Sequence, residues 1–195
     1  LYDILANNAL DYFFRRAKYG EFSSQKQELQ NSILYTLPEN FIKIDSFPEG
    51  KHQRVLLLYR ELMNVHSTNE KALLNYSLKR LNYVYSNSSE EKKVKNLYES
   101  LEAHIQSFPA NSVVSEYWHR KALMLIRNTI PFTLKYKKRI DSALAICKYV
   151  QVEFKNTRGA QLCKNLESDI TRPKLSASAP NYIMPDEYEI GRAHV

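Results

Sequence analysis

The sequence predicts an all-α protein built from antiparallel helical hairpins laid over one another. Three observations predict it. Apolar residues recur at three- and four-residue steps over most of the chain, the spacing that lines one face of a helix. Only 4 of the 195 residues are glycine, too few for the many tight turns of a β-rich body. Helix-start signals fall between the periodic stretches rather than inside them.

Taken in order, Tyr2, Leu5, Ala9, Tyr12 and Phe13 mark an opening helix. Residues 20–50 are irregular, with a short helix expected at 25–34 and a loop with one further helical turn between Pro38 and Pro48. Val55, Leu58, Tyr59 and Leu62 stripe the next helix, and Leu74, Leu78, Leu81 and Tyr85 the one after. Between those two, Ser67-Thr68-Asn69-Glu70 reads as a capping box, in which a hydroxyl and a carboxylate satisfy orphan N–H groups. Ser88-Ser89-Glu90-Glu91 reads the same way ahead of Val94, Leu97, Tyr98, Leu101, Ile105 and Phe108. Phe108-Pro109-Ala110-Asn111-Ser112 ends that helix and caps its successor. Ile140, Ala143, Leu144, Cys147 and Phe154 stripe the penultimate helix; Asn156-Thr157-Arg158-Gly159 turns the chain; Ala160, Cys163, Leu166 and Ile170 stripe the last.

Three hairpins result, at residues 55–85, 94–125 and 140–170. Paired helices with tight turns stack antiparallel, and the rhythm is that of an irregular tetratricopeptide-like α-solenoid. Phe108 and Phe154 hold equivalent places at a spacing too wide for the ~34-residue tetratricopeptide period, so no fixed repeat exists. Residues 1–171 form the expected helical domain. Pro173 forbids continuation of the last helix, and Lys174-Leu175-Ser176-Ala177-Ser178 alternates like a half-exposed strand. Such a strand is not stable alone, so residues 172–189 are expected to be a linker and the start of a β domain. Ile190-Gly191-Arg192-Ala193-His194-Val195 is the translation of a common short-read sequencing adapter, and residues 190–195 are set aside as an artefact. With Leu1 already inside a helix, a fragment of a longer reading frame is expected.

Composition narrows the function classes. Hydrophobic content of 44% with 25% charged residues is that of a globular chain,. The net charge of +7 is spread among interleaved acids, and the densest basic run, residues 135–139, reads as a solvated helix face. Nucleic acid is therefore not an expected partner, and no apolar run approaches the ~20 residues of a membrane helix. Cys147 and Cys163 fall on the two arms of one hairpin, where a bridge is conceivable but small buried hydrophobes are the preferred reading. His52, His66, His104 and His119 stand in no metal-binding spacing; His119, beside Trp118, reads as a partly buried packing residue. Glu90-Glu91 and Glu99/Glu102 read as helix-surface carboxylates. Tyr83, Tyr85, Tyr117 and Trp118 fall at helical spacing and read as core. There is no Gly-rich phosphate loop and no nucleophile elbow. No catalytic, cofactor-binding or metal-binding residue is assigned, and no enzymatic activity is expected.

Several segments together carry a resemblance. Leu1-Tyr2-Asp3-Ile4-Leu5-Ala6 with Ala9-Leu10-Asp11-Tyr12-Phe13 comes first, then Leu57-Leu58-Tyr59 and Leu81-Asn82-Tyr83-Val84-Tyr85. Ala143-Leu144-Ala145-Ile146-Cys147 through Gly159-Ala160-Gln161-Leu162-Cys163-Lys164-Asn165-Leu166 closes the set, ahead of Pro173-Lys174-Leu175-Ser176. In order and spacing these resemble the helical region of large bacterial α2-macroglobulin-like proteins, over residues 1–179. Asn156-Thr157-Arg158 departs from the proline-containing turn of that pattern, and Leu162 stands where a polar residue is usual.

The resemblance implies a cell-envelope or periplasmic protein that traps proteases through a cleavable bait segment, with a thioester in some relatives. Neither cysteine here sits in the Cys-x-Glu-Gln thioester motif, so bait and thioester would lie downstream and no functional residue carries over. The implied role is a helical scaffold bracing downstream macroglobulin β domains, with proteases as partners of those domains. The alternative is a self-standing tetratricopeptide-like module that holds a peptide or protein in a helical groove, with Lys79, Arg80, Arg120 and Lys121 as clamp residues for an acidic segment.

Overall fold

The computed structural model describes residues 2–19, 29, 32–47, 49–127, 136–172, 176–177 and 193–194. These hold α1 (Tyr2–Tyr19), a 3-10 turn (Ser32–Tyr35), α2 (Pro38–Ile42), α3 (Lys51–Val65), α4 (Glu70–Asn87), α5 (Lys93–Ser107), α6 (Val114–Ile126), α7 (Tyr136–Glu153) and α8 (Arg158–Thr171). The class is all-α, as the periodicity predicts. Helices α3 and α4, α5 and α6, and α7 and α8 pack as the three expected hairpins. Further contacts join α4 to α5 and α6 to both α7 and α8, while α1 lies on α3.

The stripes predicted for α3, α4, α5, α7 and α8 supply core, whereas on α1 the expected Leu5 and Tyr12 are exposed and Ala6 and Leu10 are buried instead. Val55, Tyr59 and Leu62 of α3 are buried, as are Leu74 and Leu81 of α4, Leu97 and Leu101 of α5, and Cys147 and Cys163 of the last hairpin. Burying each such side chain contributes about 1.5–3 kcal/mol. Helix α4 departs from the one-face pattern: Leu73, Leu74, Tyr76, Ser77, Leu78, Arg80, Leu81, Tyr83 and Val84 are all buried. The cause is its place in the fold, enclosed by α2, α3, α5 and the 3-10 turn. The segment after α2 is tied to α3 by Arg60, whose Nη1 donates to the Ile44 carbonyl at 2.9 Å and whose guanidinium lies 5.6 Å from the Phe47 ring centre.

The turn chemistry differs from the expected capping boxes. Asn69, not Ser67 or Thr68, caps α4, accepting from the Ala72 N–H at 3.2 Å. Ser88 does not cap α5, which begins at Lys93 without a side-chain cap. Its hydroxyl donates to the Leu29 carbonyl at 2.7 Å and accepts from the Glu90 N–H at 3.1 Å. Long-range pairing with residue 29 thus takes the group that local reasoning assigned to the helix end. At the last turn Asn156 adopts a φ of 62° and Thr157 caps α8 through the Ala160 N–H at 3.2 Å.

Of the helix expected at 25–34, the described part is the 3-10 turn; residues 25–28 and 30–31 lie outside the described residues, as do Lys174, Leu175 and Ser178 of the expected strand. Ser176–Ala177 pairs antiparallel with Ala193–His194 over two residues. The partner comes from the adapter-like tail, so this ladder carries nothing about a β-sandwich.

Candidate functional site

The most chemically loaded place in the fold lies inside it. The Ser77, Arg80, His104 and Tyr117 side chains meet where α4, α5 and α6 adjoin, and all four residues are fully buried. His104 Nδ1 stands 2.7 Å from the Ser100 carbonyl, which can only accept, so Nδ1 carries the proton,. Nε2 is then the acceptor for the Ser77 hydroxyl at 2.9 Å. Arg80 Nη2 donates to Ser77 Oγ at 3.1 Å and to the Thr36 carbonyl at 2.6 Å. Its guanidinium lies 4.3 Å from the centre of the Phe41 ring, and Tyr117 stacks on His104 while donating to the Leu74 carbonyl at 2.8 Å.

Burial, helped by the Arg80 charge, pushes His104 down to about 4, so its ring is neutral at physiological pH. Burial also pushes Arg80 down to about 9, leaving it charged there. Serine hydroxyl and neutral imidazole have the separation of a nucleophile and its base. Complete burial leaves a substrate no approach, so the arrangement acts as a polar strut joining α4 to α5 and to the segment at Thr36. Arg80 Nε and Nη1 have no acceptor; the π face of Phe41 and the dipoles of Thr36 and Ser77 carry its charge.

An open cleft lies between α1, α3 and α4, with a volume of about 450 Å³, lined by Asn7, Leu10, Asp11, Tyr59, Lys79 and Asn82. Leu10 and Tyr59 form an apolar floor. On the rim, Lys79 Nζ donates to Asn7 Oδ1 at 3.0 Å, and Asn7 Nδ2 donates to the Asp3 carbonyl at 2.8 Å and the Tyr76 hydroxyl at 3.2 Å. His66 Nε2 meets Asp3 at 2.8 Å and fastens α1 to the end of α3. Burial, with Tyr83 and Asp11 nearby, pushes the Tyr59 hydroxyl up, so it stays protonated. The cleft therefore presents amides, one carboxylate and one ammonium around an apolar base. A smaller hollow of about 270 Å³ sits at the α7–α8 turn.

The four expected clamp residues do not converge. Arg80 is in the core. Lys79 faces α1 across the cleft, Lys121 pairs with Glu102 at 2.7 Å, and Arg120 is half-buried beside Tyr85. Periodicity carried a signal for Arg80, which follows Leu73 and Ser77 on a second α4 stripe. Tyr83 and Tyr117 are core, as expected, while Tyr85 and Trp118 are half-buried. His119 is half-buried, and burial together with Arg120 and Arg127 pushes it down to about 4. Cys147 and Cys163 are unbridged and buried; the hydrogen bond to the facing Cys147 thiol, and after it burial, push the Cys163 thiol up. Among the described residues, no group of three His, Cys, Asp or Glu side chains could hold a metal ion, and no helix is long and apolar enough to cross a membrane.

The chain matches no protein-family model, no curated protein and no solved structure.

Proposed function

We propose that the helical body is a non-catalytic scaffold that braces neighbouring domains of a larger macroglobulin-like protease inhibitor. The observation that carries this is the distribution of exposed apolar side chains. Ile4, Leu5 and Tyr12 are more than half exposed on α1, and Tyr149 and Val152 are comparably exposed on α7. These helices belong to the first and last packed groups of the chain, so apolar surface is offered at both ends of the contact order and the polar chemistry is kept inside. Apolar side chains that stay in water favour docking against a neighbour. The macroglobulin context rests on the order and spacing of the motifs described above, and with it the expectation of an envelope or periplasmic location.

The chain alone is expected to leave endopeptidases fully active on protein substrates, because bait and trap would lie elsewhere. Inhibition by this chain alone overturns the scaffold role. A second reading, a module that binds an extended peptide, is favoured by the cleft between α1, α3 and α4. Peptides selected on the protein should lose binding when Lys79→Glu and Asn82→Ala are introduced on the rim. Equal binding to wild type and both variants removes that reading.

A further inference from the structure

We propose that Lys93 and Arg120 form a binding site for a doubly charged phosphoryl oxyanion beside the ring of Tyr85. Three elements bring the parts together: the end of α4 supplies Tyr85, the start of α5 supplies Lys93, and α6 supplies Arg120. Lys93 Nζ lies 5.5 Å and Arg120 Cζ 5.4 Å from the centre of the Tyr85 ring. Burial, opposed by Tyr85 and helped by the Arg127 charge at the end of α6, holds the Arg120 guanidinium below the usual arginine range. Burial first, and then the charges of Arg120 and Arg127, hold the neighbouring His119 neutral.

What marks the cluster is its missing counter-charge. Lys121, next along α6, meets Glu102 at 2.7 Å, whereas among the described residues no carboxylate pairs with Lys93, Arg120 or Arg127. Glu90, the acid just ahead of α5, accepts from Asn96 at 3.1 Å. Lys93 spends one N–H on the Ser88 carbonyl at 2.7 Å, which fixes the ammonium beside the ring and leaves its other donors. Arg120 is half-buried, and its Nε is sealed from solvent with no acceptor. A partly desolvated guanidinium without an acceptor is unfavourable, and like charges held around one ring repel. A tetrahedral dianion offers two negative charges, with oxygens for the outer N–H groups of the guanidinium and for the ammonium. The uncapped N-terminus of α5 adds a favourable partial charge next to Lys93,. Free phosphate and a small phosphate monoester share this chemistry.

The test follows amide shifts of the full chain by heteronuclear NMR while inorganic phosphate, and in a second arm glycerol phosphate, is added at constant ionic strength set with chloride. Saturable shifts centred on Tyr85, Lys93 and Arg120 are expected. Affinity should fall at least about tenfold in Arg120→Gln and in Lys93→Gln, and stay unchanged in Lys121→Gln. Tighter binding in one arm identifies the source. Lys93→Gln leaves the half-buried position intact and so decides the matter if Arg120→Gln does not fold. Shifts that do not saturate by about 10 mM, or that survive in the folded variants, overturn the site. Binding of a mixed-sequence oligonucleotide with no response to either small ligand overturns it as well.

Discussion

At the scale of single residues, Arg80 decides more than any other side chain. Its long stem fills the space among α2, α4 and the 3-10 turn while its charge is held by a π face and two oxygens. Arg80→Ala should therefore destabilise the protein by about 2–5 kcal/mol, whereas Arg80→Met should stay within about 1.5 kcal/mol of wild type, because a packed apolar chain replaces a buried charge at little cost. Urea denaturation of both variants checks this, and equal losses would place the stability in the charge rather than the packing. His104 makes the core sensitive to acid. Its folded pKa, about 4, lies below the ~6.5 of an unfolded histidine. The unfolded chain therefore takes up a proton that the folded one refuses. This stability is full above about pH 6.5 and is lost as pH falls toward about 4, by at most about 3 kcal/mol. His119 acts in the same direction, so His104→Gln should flatten the urea midpoint profile in part. An unchanged slope in that variant would remove His104 as a cause.

At the scale of elements, turn chemistry and close approach can be separated experimentally. Asn69→Ala should cost about 1 kcal/mol through loss of the α4 cap, while Ser67→Ala and Thr68→Ala should change the melting temperature little. Equal effects at all three positions would restore the hydroxyl capping box. Gly159 opens α8 against α6, where an added Cβ would collide with the backbone and side chain of Ser115. Gly159→Ala should destabilise by about 1–3 kcal/mol despite the better helix propensity of alanine, measured by thermal unfolding; a stabilised variant would mean that α8 does not approach so closely.

These elements also show what is legible in the chain. The hairpins could be read because Val94, Leu97, Leu101 and Ile105 repeat with a period set by helix geometry alone. Ser88 could not be assigned, since its partner Leu29 is remote in sequence and local rules see only the nearby Glu90 and Glu91. Arg80 was misplaced for a related reason: a charged residue signals surface unless the helix is enclosed on every side, and enclosure of α4 is a property of the whole fold. Asn7, Asp11 and Lys79 come from α1 and α4, and only their packing with α3 shows them as one rim.

At the scale of the whole molecule, apolar surface at α1 and α7, sealed polar chemistry in α4 to α6, and unpaired cations around Tyr85 divide the protein into regions with different tasks. Docking would use the first, stability the second and an anion the third. The central claim is that this body braces macroglobulin-type β domains, and the most direct measurement is the domain content of the full polypeptide that carries this segment, read from its native locus. The account predicts a train of alternating-strand segments following the helical body in the same chain. A native polypeptide with no β domains after the last helix would contradict it and leave the peptide-binding module in its place.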